Sequence, residues 1–175
     1  MITSQRIIDA IDEQIGNEFA AMLQYTAIAA HFDAETLPEL SAHFAIQAEE
    51  EKQHAHKFVK YVVDTGARVK IPAIAAPICR FDTAEQAVQL SLDQEKKVSS
   101  QINALVHIAK EESDYTSDNF LQWFVQEQLE EVASMSDLLN VVQRAGEGNL
   151  LRVEEYLARK GGGPGRRPGG VDNAT

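Results

Sequence analysis

Glu51-Lys52-Gln53-His54 carries the strongest structural signal in this 175-residue chain. On an α-helix, a carboxylate and an imidazole three residues apart lie on the same face and can bind one metal ion. The pair belongs to a stripe that recurs at alternating steps of four and three residues, which places it on the buried side of a long helix. The stripe contains Leu40, Phe44, Gln47, Glu51, His54, Phe58 and Tyr61.

Three further segments repeat this pattern, and each has a carboxylate where an apolar residue is expected. Burying an ionised carboxylate is unfavourable unless a cation or a full set of hydrogen bonds compensates it. Mid-length positions of an antiparallel bundle meet at one level, so the four segments together predict a shared metal site. The three stripes are Ile11, Ile15, Glu18, Met22, Tyr25, Ala29 and Phe32; Val88, Leu92, Glu95, Ile102, Val106 and Ala109; and Leu121, Phe124, Gln128, Glu131, Met135, Leu138 and Val142.

The composition indicates one compact domain and excludes several classes of protein. Apolar residues make up 44% of the chain, which is enough to bury a single core. The formal net charge of −11 argues against a nucleic-acid partner. Cys79 is the single cysteine, which excludes an internal disulfide framework, a four-cysteine metal site and a Cys-x-x-Cys redox motif. The polar, amphipathic start predicts neither a signal peptide nor a membrane span, and hence a cytoplasmic protein with no membrane partner.

Helix start and stop signals divide the chain into five predicted helices, and the fold class is therefore all-α. The connection 67–81 contains Pro72 and Pro77, has no helical period, and is long enough for the third helix to run parallel to the second. Residues 1–160 form one predicted domain, followed by a disordered Gly/Pro/Arg tail over 161–175. The predicted helices run from after Ser4 to about Phe32, from Leu37-Pro38 to Asp64, from Thr83 to about Lys110, from Ser113-Asp114 to Gly146, and from Asn149 to Arg159.

Three sequence words resemble those of non-haem bacterial ferritins, and the likeness extends from about Ile7 to Tyr156. The resemblance implies that 1–160 is a ferritin-like di-iron domain: an antiparallel four-helix bundle with a long crossover and a short fifth C-terminal helix. The words are Asn17-Glu18-Phe19 with Gln24-Tyr25, Glu49-Glu50-Glu51-Lys52-Gln53-His54, and Phe120-Leu121-Gln122-Trp123-Phe124-Val125-Gln126-Glu127-Gln128-Leu129-Glu130-Glu131.

The same resemblance implies a set of iron ligands and their neighbours. A first iron would be held by Glu18, Glu51 and His54, and a second by Glu51, Glu95 and Glu131, with Glu51 bridging the two. Gln128 would stand beside this centre. A third iron site is implied at Glu50, Glu127 and Glu130, and Tyr25 and Trp123 match aromatic residues that supply an electron.

In this family such a centre is a ferroxidase, which oxidises Fe(II) with O₂ or peroxide. The Fe(III) is stored as a mineral inside a hollow homo-oligomer of 24 subunits. Haem is not expected, because bacterioferritins place a Met between the residues that match Glu51 and His54, whereas this chain has Lys52 and Gln53. A second Glu-x-x-His motif is also absent, because Val132-Ala133-Ser134 follows Glu131.

Other interpretations of these residues remain open at this level. The chain could be a structural bundle whose buried acids pair with Lys or Arg, or a di-iron oxygenase acting on an organic substrate. Glu50, Glu127 and Glu130 could form a solvated face, and Tyr25 and Trp123 could simply fill the core. Asp114 and Asp118, at the start of the fourth helix, match the lining of an iron entry channel in ferritins, but Asp is also favoured there for capping.

Overall fold

The computed structural model describes residues 2–162, and within that range it contains helices and no strand. The predicted elements are confirmed, with bounds that differ by a few residues at each end. Gly161 and Gly162, which were assigned to the tail, lie in the last turn of the fifth helix, and residues 163–175 lie outside the described range. The elements are α1 Gln5–Ala34, α2 Pro38–Asp64, α3 Ala84–Glu111, α4 Tyr115–Ala145, a short 3₁₀ turn Glu147–Asn149, and α5 Leu150–Gly162.

Side-chain caps determine where three of the long helices begin. The Ser4 hydroxyl accepts a hydrogen bond from the backbone N–H of Ile7 at 3.3 Å, and Thr83 and Asp114 accept equivalent bonds at the starts of α3 and α4. α2 begins differently, because its N-cap residue Leu37 has no side-chain acceptor and Pro38 occupies the first turn. The helix starts predicted at Ser4, Thr83 and Ser113-Asp114 are therefore present, and the cap of α4 is Asp114 rather than Ser113.

A carboxylate from the far end of the chain supplies the cap that α2 lacks. The two oxygens of Glu154, on α5, accept the backbone N–H groups of Glu39 at 2.8 Å and Leu40 at 2.9 Å. A negative charge at this position also interacts favourably with the positive end of the helix dipole. Glu154 thereby ties α5 to the bundle.

Replacing Glu154 by Ala is expected to destabilise the folded chain by about 1 kcal/mol, because two backbone donors of α2 lose their acceptor. For a chain of this size, a loss of that magnitude lowers the unfolding temperature by about 2–4 °C. Thermal unfolding followed by circular dichroism measures the change. Glu155→Ala is the matched control, because Glu155 is exposed and contacts Arg152 on its own helix; equal unfolding temperatures for the two variants would contradict the capping role.

Contacts between side chains establish the helix directions. Phe32 packs on Phe44 near the α1–α2 turn, while Phe19 contacts His56 further along, so α1 and α2 are antiparallel. The pairs Arg6–Glu111 and Tyr25–Glu95 show that α1 and α3 are also antiparallel. Helices α2 and α3 consequently run in the same direction, which requires a connection that spans the bundle. The predicted crossover topology is confirmed.

The crossover 67–81 lies against α1 along much of its length. The backbone N–H of Lys70 donates to Asp12 Oδ1 at 3.1 Å, and the Gln24 amide exchanges two hydrogen bonds with the backbone of Ile78. Between these anchors, Gly16 allows Pro72 to approach closely, since a Cβ at Gly16 would stand 2.3 Å from Pro72 Cγ. The absence of a side chain at Gly16 therefore lets the crossover pack directly on the helix.

The core consists of two apolar clusters with a polar layer between them. Along α1, Ile15 belongs to one cluster and Ala21 to the other, and Glu18 lies between them. Each of the other long helices changes cluster in the same way, at Glu51, Glu95 and Gln128 to Glu131. Within residues 2–162, no helix has the length and apolar content needed to span a membrane. The fold thus holds its carboxylates at mid-length, surrounded by hydrocarbon.

Candidate metal centre

Four glutamates, one from each long helix, lie in the layer between the apolar clusters. The exposed fractions of Glu18, Glu51, Glu95 and Glu131 are 1%, 2%, 0% and 7%, and that of His54 is 5%. Carboxylates are almost never buried to this degree without partners. The predicted convergence of the four stripes on one level is present in the structure.

Glu18, Glu51 and His54 form the tightest part of this layer. One ligand atom from each lies within 4.8 Å of the others, and His54 Nδ1 is 3.2 Å from Glu51 Oε2. Glu18 Oε1 accepts a hydrogen bond from Gln14 Nε2 at 2.8 Å, whereas Glu18 Oε2 is buried without a hydrogen-bond donor. A buried oxygen that lacks a donor is suited to a cation, and the donor set of two carboxylates and one imidazole fits iron.

Glu95 is held by two neighbours on the other side of the layer. It accepts a hydrogen bond from the Tyr25 hydroxyl, and Gln128 Nε2 donates to Glu95 Oε2 at 3.1 Å and to its backbone carbonyl at 3.2 Å. Gln128 Nε2 also lies 3.4 Å from Ser99 Oγ. Among residues 2–162, the cluster at metal-ligand spacing contains Glu18, Glu51 and His54 but neither Glu95 nor Glu131.

Burial raises the pKa of all four carboxyl groups. Desolvation is the largest cause in each case, and the charges of neighbouring carboxylates add to it. The pKa of Glu131 rises to about 8, and that of Glu95 to about 7, where the hydrogen bond from Tyr25 opposes the rise. The pKa values of Glu18 and Glu51 lie well above the usual range. Without a cation, the layer therefore retains protons at neutral pH.

Basic side chains do not neutralise these acids. Across the described part of the chain, no Lys or Arg forms an ion pair with Glu18, Glu51, Glu95 or Glu131; the basic side chain in contact with Glu51 is the His54 imidazole, at 3.2 Å. A structural bundle that buries glutamates would need such bases or more hydrogen-bond donors. The arrangement therefore disfavours a purely structural role for the layer.

Tyr25 and Trp123 both contact members of the layer, in different surroundings. Tyr25 is fully buried, and burial together with the Glu95 carboxylate raises its pKa well above the ordinary value. The residue Trp123 is 36% exposed, and its ring meets the His54 ring edge to face at 5.5 Å between centroids. The ammonium of Lys57 lies 3.3 Å from the centroid of the Trp123 ring.

Glu50, Glu127 and Glu130, all within the described residues, do not form a tight cluster in this structure. Glu50 accepts a hydrogen bond from the Gln47 amide, and the charges of Glu50 and Glu127 contribute to the raised pKa of Glu131. Glu130 is exposed and accepts a hydrogen bond from Gln126 at 3.4 Å.

The nominated channel residue Asp114 is engaged in capping and in a network at one end of the bundle. Its carboxylate accepts hydrogen bonds from the backbone N–H and the hydroxyl of Ser117 and from the Thr3 hydroxyl. The Ser117 hydroxyl in turn lies 2.7 Å from that of Tyr61. Asp118 accepts a hydrogen bond from Gln122 at 2.8 Å. These contacts account for Asp114 as a structural cap.

Two polar residues that support the layer were missed in the sequence. Gln14 precedes Glu18 by four residues, a spacing at which helix side chains meet, and Ser99 continues the four-three alternation between Glu95 and Ile102. Gln14 could have been found from its spacing to Glu18, and Ser99 from the gap that it fills in the α3 stripe.

Comparison with known proteins identifies the family of this chain. Residues 8–145 match the ferritin family, described as a ferritin-like domain. Ferritin BfrB of Mycobacterium tuberculosis is 45% identical over 150 residues, covering 86% of this chain and 82% of that protein. The bacterial non-heme ferritin of Staphylococcus aureus is 33% identical over 153 residues, covering 87% and 92%. An open pore ferritin from the archaeon Archaeoglobus fulgidus superposes with a TM-score of 0.86 at 33% identity, covering 89% and 97%.

These matches include all four long helices and the glutamates that they bring together. They agree with the resemblance found in the sequence words around Glu18, Glu51 and Glu131, and they extend over most of each relative. The chain therefore belongs to the ferritin family.

Proposed function

We propose that this ferritin oxidises Fe(II) to Fe(III) with O₂ or peroxide at a di-iron centre and stores the product as a ferric mineral. Iron storage follows from membership of the family, and the observation that carries the ferroxidase activity is the buried cluster of Glu18, Glu51 and His54. Iron is here both substrate and cargo. The shell is a hollow cytoplasmic homo-oligomer of 24 subunits, without haem and without a nucleic-acid or membrane partner.

The ligand set suits this reaction. Glu18, Glu51 and His54 hold one Fe(II), and Glu51, Glu95 and Glu131 hold a second, with Glu51 shared between them. Carboxylate oxygens are hard ligands that stabilise Fe(III), and two irons held close together can deliver two electrons to one O₂. Two Fe(II) and one O₂ with two protons then yield two Fe(III) and one hydrogen peroxide.

Neighbouring side chains orient the proposed iron ligands, and the ligands release protons when iron binds. Gln128 and Tyr25 orient the Glu95 carboxylate through hydrogen bonds, and Gln14 orients that of Glu18. Protons held by Glu95 and Glu131 leave when Fe(II) binds, because a cation favours the ionised carboxylate. Tyr25 and Trp123 are the aromatic side chains from which the centre can draw a further electron.

Aerobic loading with Fe(II) followed by sizing of the particle tests this function. We expect an assembly of about 460 kDa, 24 times the 19.3 kDa subunit, that retains many iron atoms per subunit after gel filtration. A protein that elutes as a monomer or dimer and retains no iron would contradict the proposal.

One feature would suit the alternative, oxidation of an organic substrate. A recess of about 450 Å³ lies between α3 and α4, lined by apolar side chains such as Ile102, Val125 and Leu129, with Gln128 among its lining residues. A recess of this size is within the range of small-molecule sites. The ferritin relatives and the missing second Glu-x-x-His motif favour Fe(II) as the substrate.

A third iron site at Glu50, Glu127 and Glu130 is also proposed, with a secondary role. Replacing Glu130 by Ala should leave the first rapid oxidation largely unchanged, because Glu130 lies outside the buried layer. Later turnover should change, since iron then leaves the centre by a different route. Stopped-flow oxidation with repeated Fe(II) additions measures both phases, and Glu13→Ala, an exposed change on α1, is the control. Repeat kinetics and Fe(II)-to-O₂ ratios identical to those of the parent would contradict a third site.

A further inference from the structure

The two aromatic rings beside the candidate centre have opposite electrostatic surroundings. The Tyr25 hydroxyl donates a hydrogen bond to Glu95, so a proton acceptor is already in place. Trp123 has a cation instead, because the Lys57 ammonium lies 3.3 Å from its ring centroid. Trp123 also contacts His54, a proposed iron ligand, with 5.5 Å between the two ring centroids.

The two surroundings affect the loss of an electron differently. A cation over an aromatic face is attracted to the electron-rich ring while the ring is neutral. Once the indole has lost an electron it is itself a cation, and the same ammonium repels it. Within the described residues, Tyr25 has no such cation on its ring, and its hydroxyl proton lies on a hydrogen bond to Glu95, along which it leaves with the electron when Glu95 is ionised. The contact with Lys57 therefore makes Trp123 harder to oxidise, and the contact with Glu95 makes Tyr25 easier to oxidise.

We propose that Lys57 is a positioning residue that makes Trp123 harder to oxidise by the O₂ or peroxide consumed at the di-iron centre. The step that it disfavours is the transfer of one electron from the indole to O₂ or peroxide, followed by loss of the Nε1 proton to water. This proposal rests on the proposed ferroxidase function, which supplies the oxidant. Lys57 thereby makes Trp123 the weaker electron source and protects a partly exposed ring that touches His54.

A test on the metal-free protein isolates the effect of the charge. Trp123 is the single tryptophan of the chain, so the loss of tryptophan fluorescence under a neutral photo-oxidant reports its oxidation alone. Lys57→Met should raise the bleaching rate about two- to fivefold, the effect expected of one cation–π contact near the surface. Lys57→Arg should restore the parent rate, because the guanidinium keeps the charge.

Two controls separate charge from exposure. Lys60→Met removes a charge from the same helix, and Lys60 pairs with Asp64, so the parent rate is expected. Quenching by acrylamide, which is uncharged, measures the exposure of the ring in each variant. The bleaching rate of each variant is divided by its acrylamide quenching constant before the rates are compared. A corrected rate in Lys57→Met equal to that of the parent, or a Lys57→Arg rate equal to that of Lys57→Met, would overturn the proposal.

A second experiment uses iron and keeps the two proposals distinguishable. Samples frozen rapidly after mixing Fe(II) protein with O₂ are examined by electron paramagnetic resonance, and the tryptophan radical is counted per Fe(II) oxidised. Lys57→Met should increase that yield about two- to fivefold over the parent. An equal yield in a protein that oxidises iron overturns the role of Lys57. Failure of the parent to oxidise iron overturns the ferroxidase proposal, while the photo-oxidation rates still decide the effect of Lys57 on the ring.

Discussion

Replacing Glu51 or His54 by Ala is expected to reduce the initial rate of Fe(II) oxidation at least about 100-fold. Loss of residues that only support a ligand already costs about 10–100-fold, and these two side chains are proposed to bind the metal directly. The larger loss is expected for Glu51→Ala, because the Glu51 carboxylate is proposed to be shared by both irons. Stopped-flow absorbance of Fe(III) under limiting Fe(II) measures the rate.

Gln53→Ala is the matched control for both variants. Gln53 lies between Glu51 and His54 on α2 but points to solvent, so its loss should leave the oxidation rate unchanged. Particle size is measured in parallel, because the cage is expected to form in all three variants. Initial rates equal to the parent's in both Glu51→Ala and His54→Ala would show that the oxidation site lies elsewhere.

Replacing Glu131 by Gln is expected to stabilise the metal-free protein at high pH by up to about 5 kcal/mol. The pKa of Glu131 is about 8 in the folded chain, against an ordinary value of 4.5. Between these values the folded state keeps a proton that the unfolded chain releases, so stability falls as pH rises from about 4.5 through 8. One pKa unit corresponds to about 1.4 kcal/mol, and Gln removes this loss because it cannot ionise.

Denaturant unfolding of the metal-free protein at pH 5 and pH 9 measures the effect. The variant and the parent should be similarly stable at pH 5, where Glu131 is protonated in the folded state, and should differ most at pH 9. Glu130→Gln removes a neighbouring but exposed carboxylate and should change stability little at either pH. A Glu131→Gln variant that shows the same pH dependence as the parent would contradict the raised pKa.

Features of the fold that depend on local order were predictable from the sequence. The caps at Ser4, Thr83 and Asp114 use donors three residues away, and the apolar stripes arise from the helical repeat alone. The glutamates of the layer were found for the same reason, since each interrupts a stripe. The parallel course of α2 and α3 followed from the length of the connection between them.

Features that arise from packing between distant segments were not predictable. The close approach of Gly16 and Pro72 depends on where the crossover meets α1, and the contact of Lys57 with Trp123 depends on the orientation of α2 against α4. The boundary of α5 was placed early, because glycines at 161 and 162 favour a helix end in sequence, yet both continue the helix. The site residues were predicted from the stripes and the family resemblance, and they include Tyr25 and Gln128, which orient Glu95. Gln14, which orients Glu18, was not predicted.

The cap that Glu154 provides has a consequence for the order in which the chain folds during synthesis. Glu154 is made 115 residues after Glu39, whose N–H group it binds. Domains fold from the N-terminal end as the ribosome adds residues, so α1 and α2 can pair long before this carboxylate exists. The first turn of α2 then keeps its backbone donors in water while α3 and α4 are made. The end of the bundle that contains Glu39 is therefore completed after the rest, when α5 leaves the ribosome and Glu154 binds the N–H groups of Glu39 and Leu40.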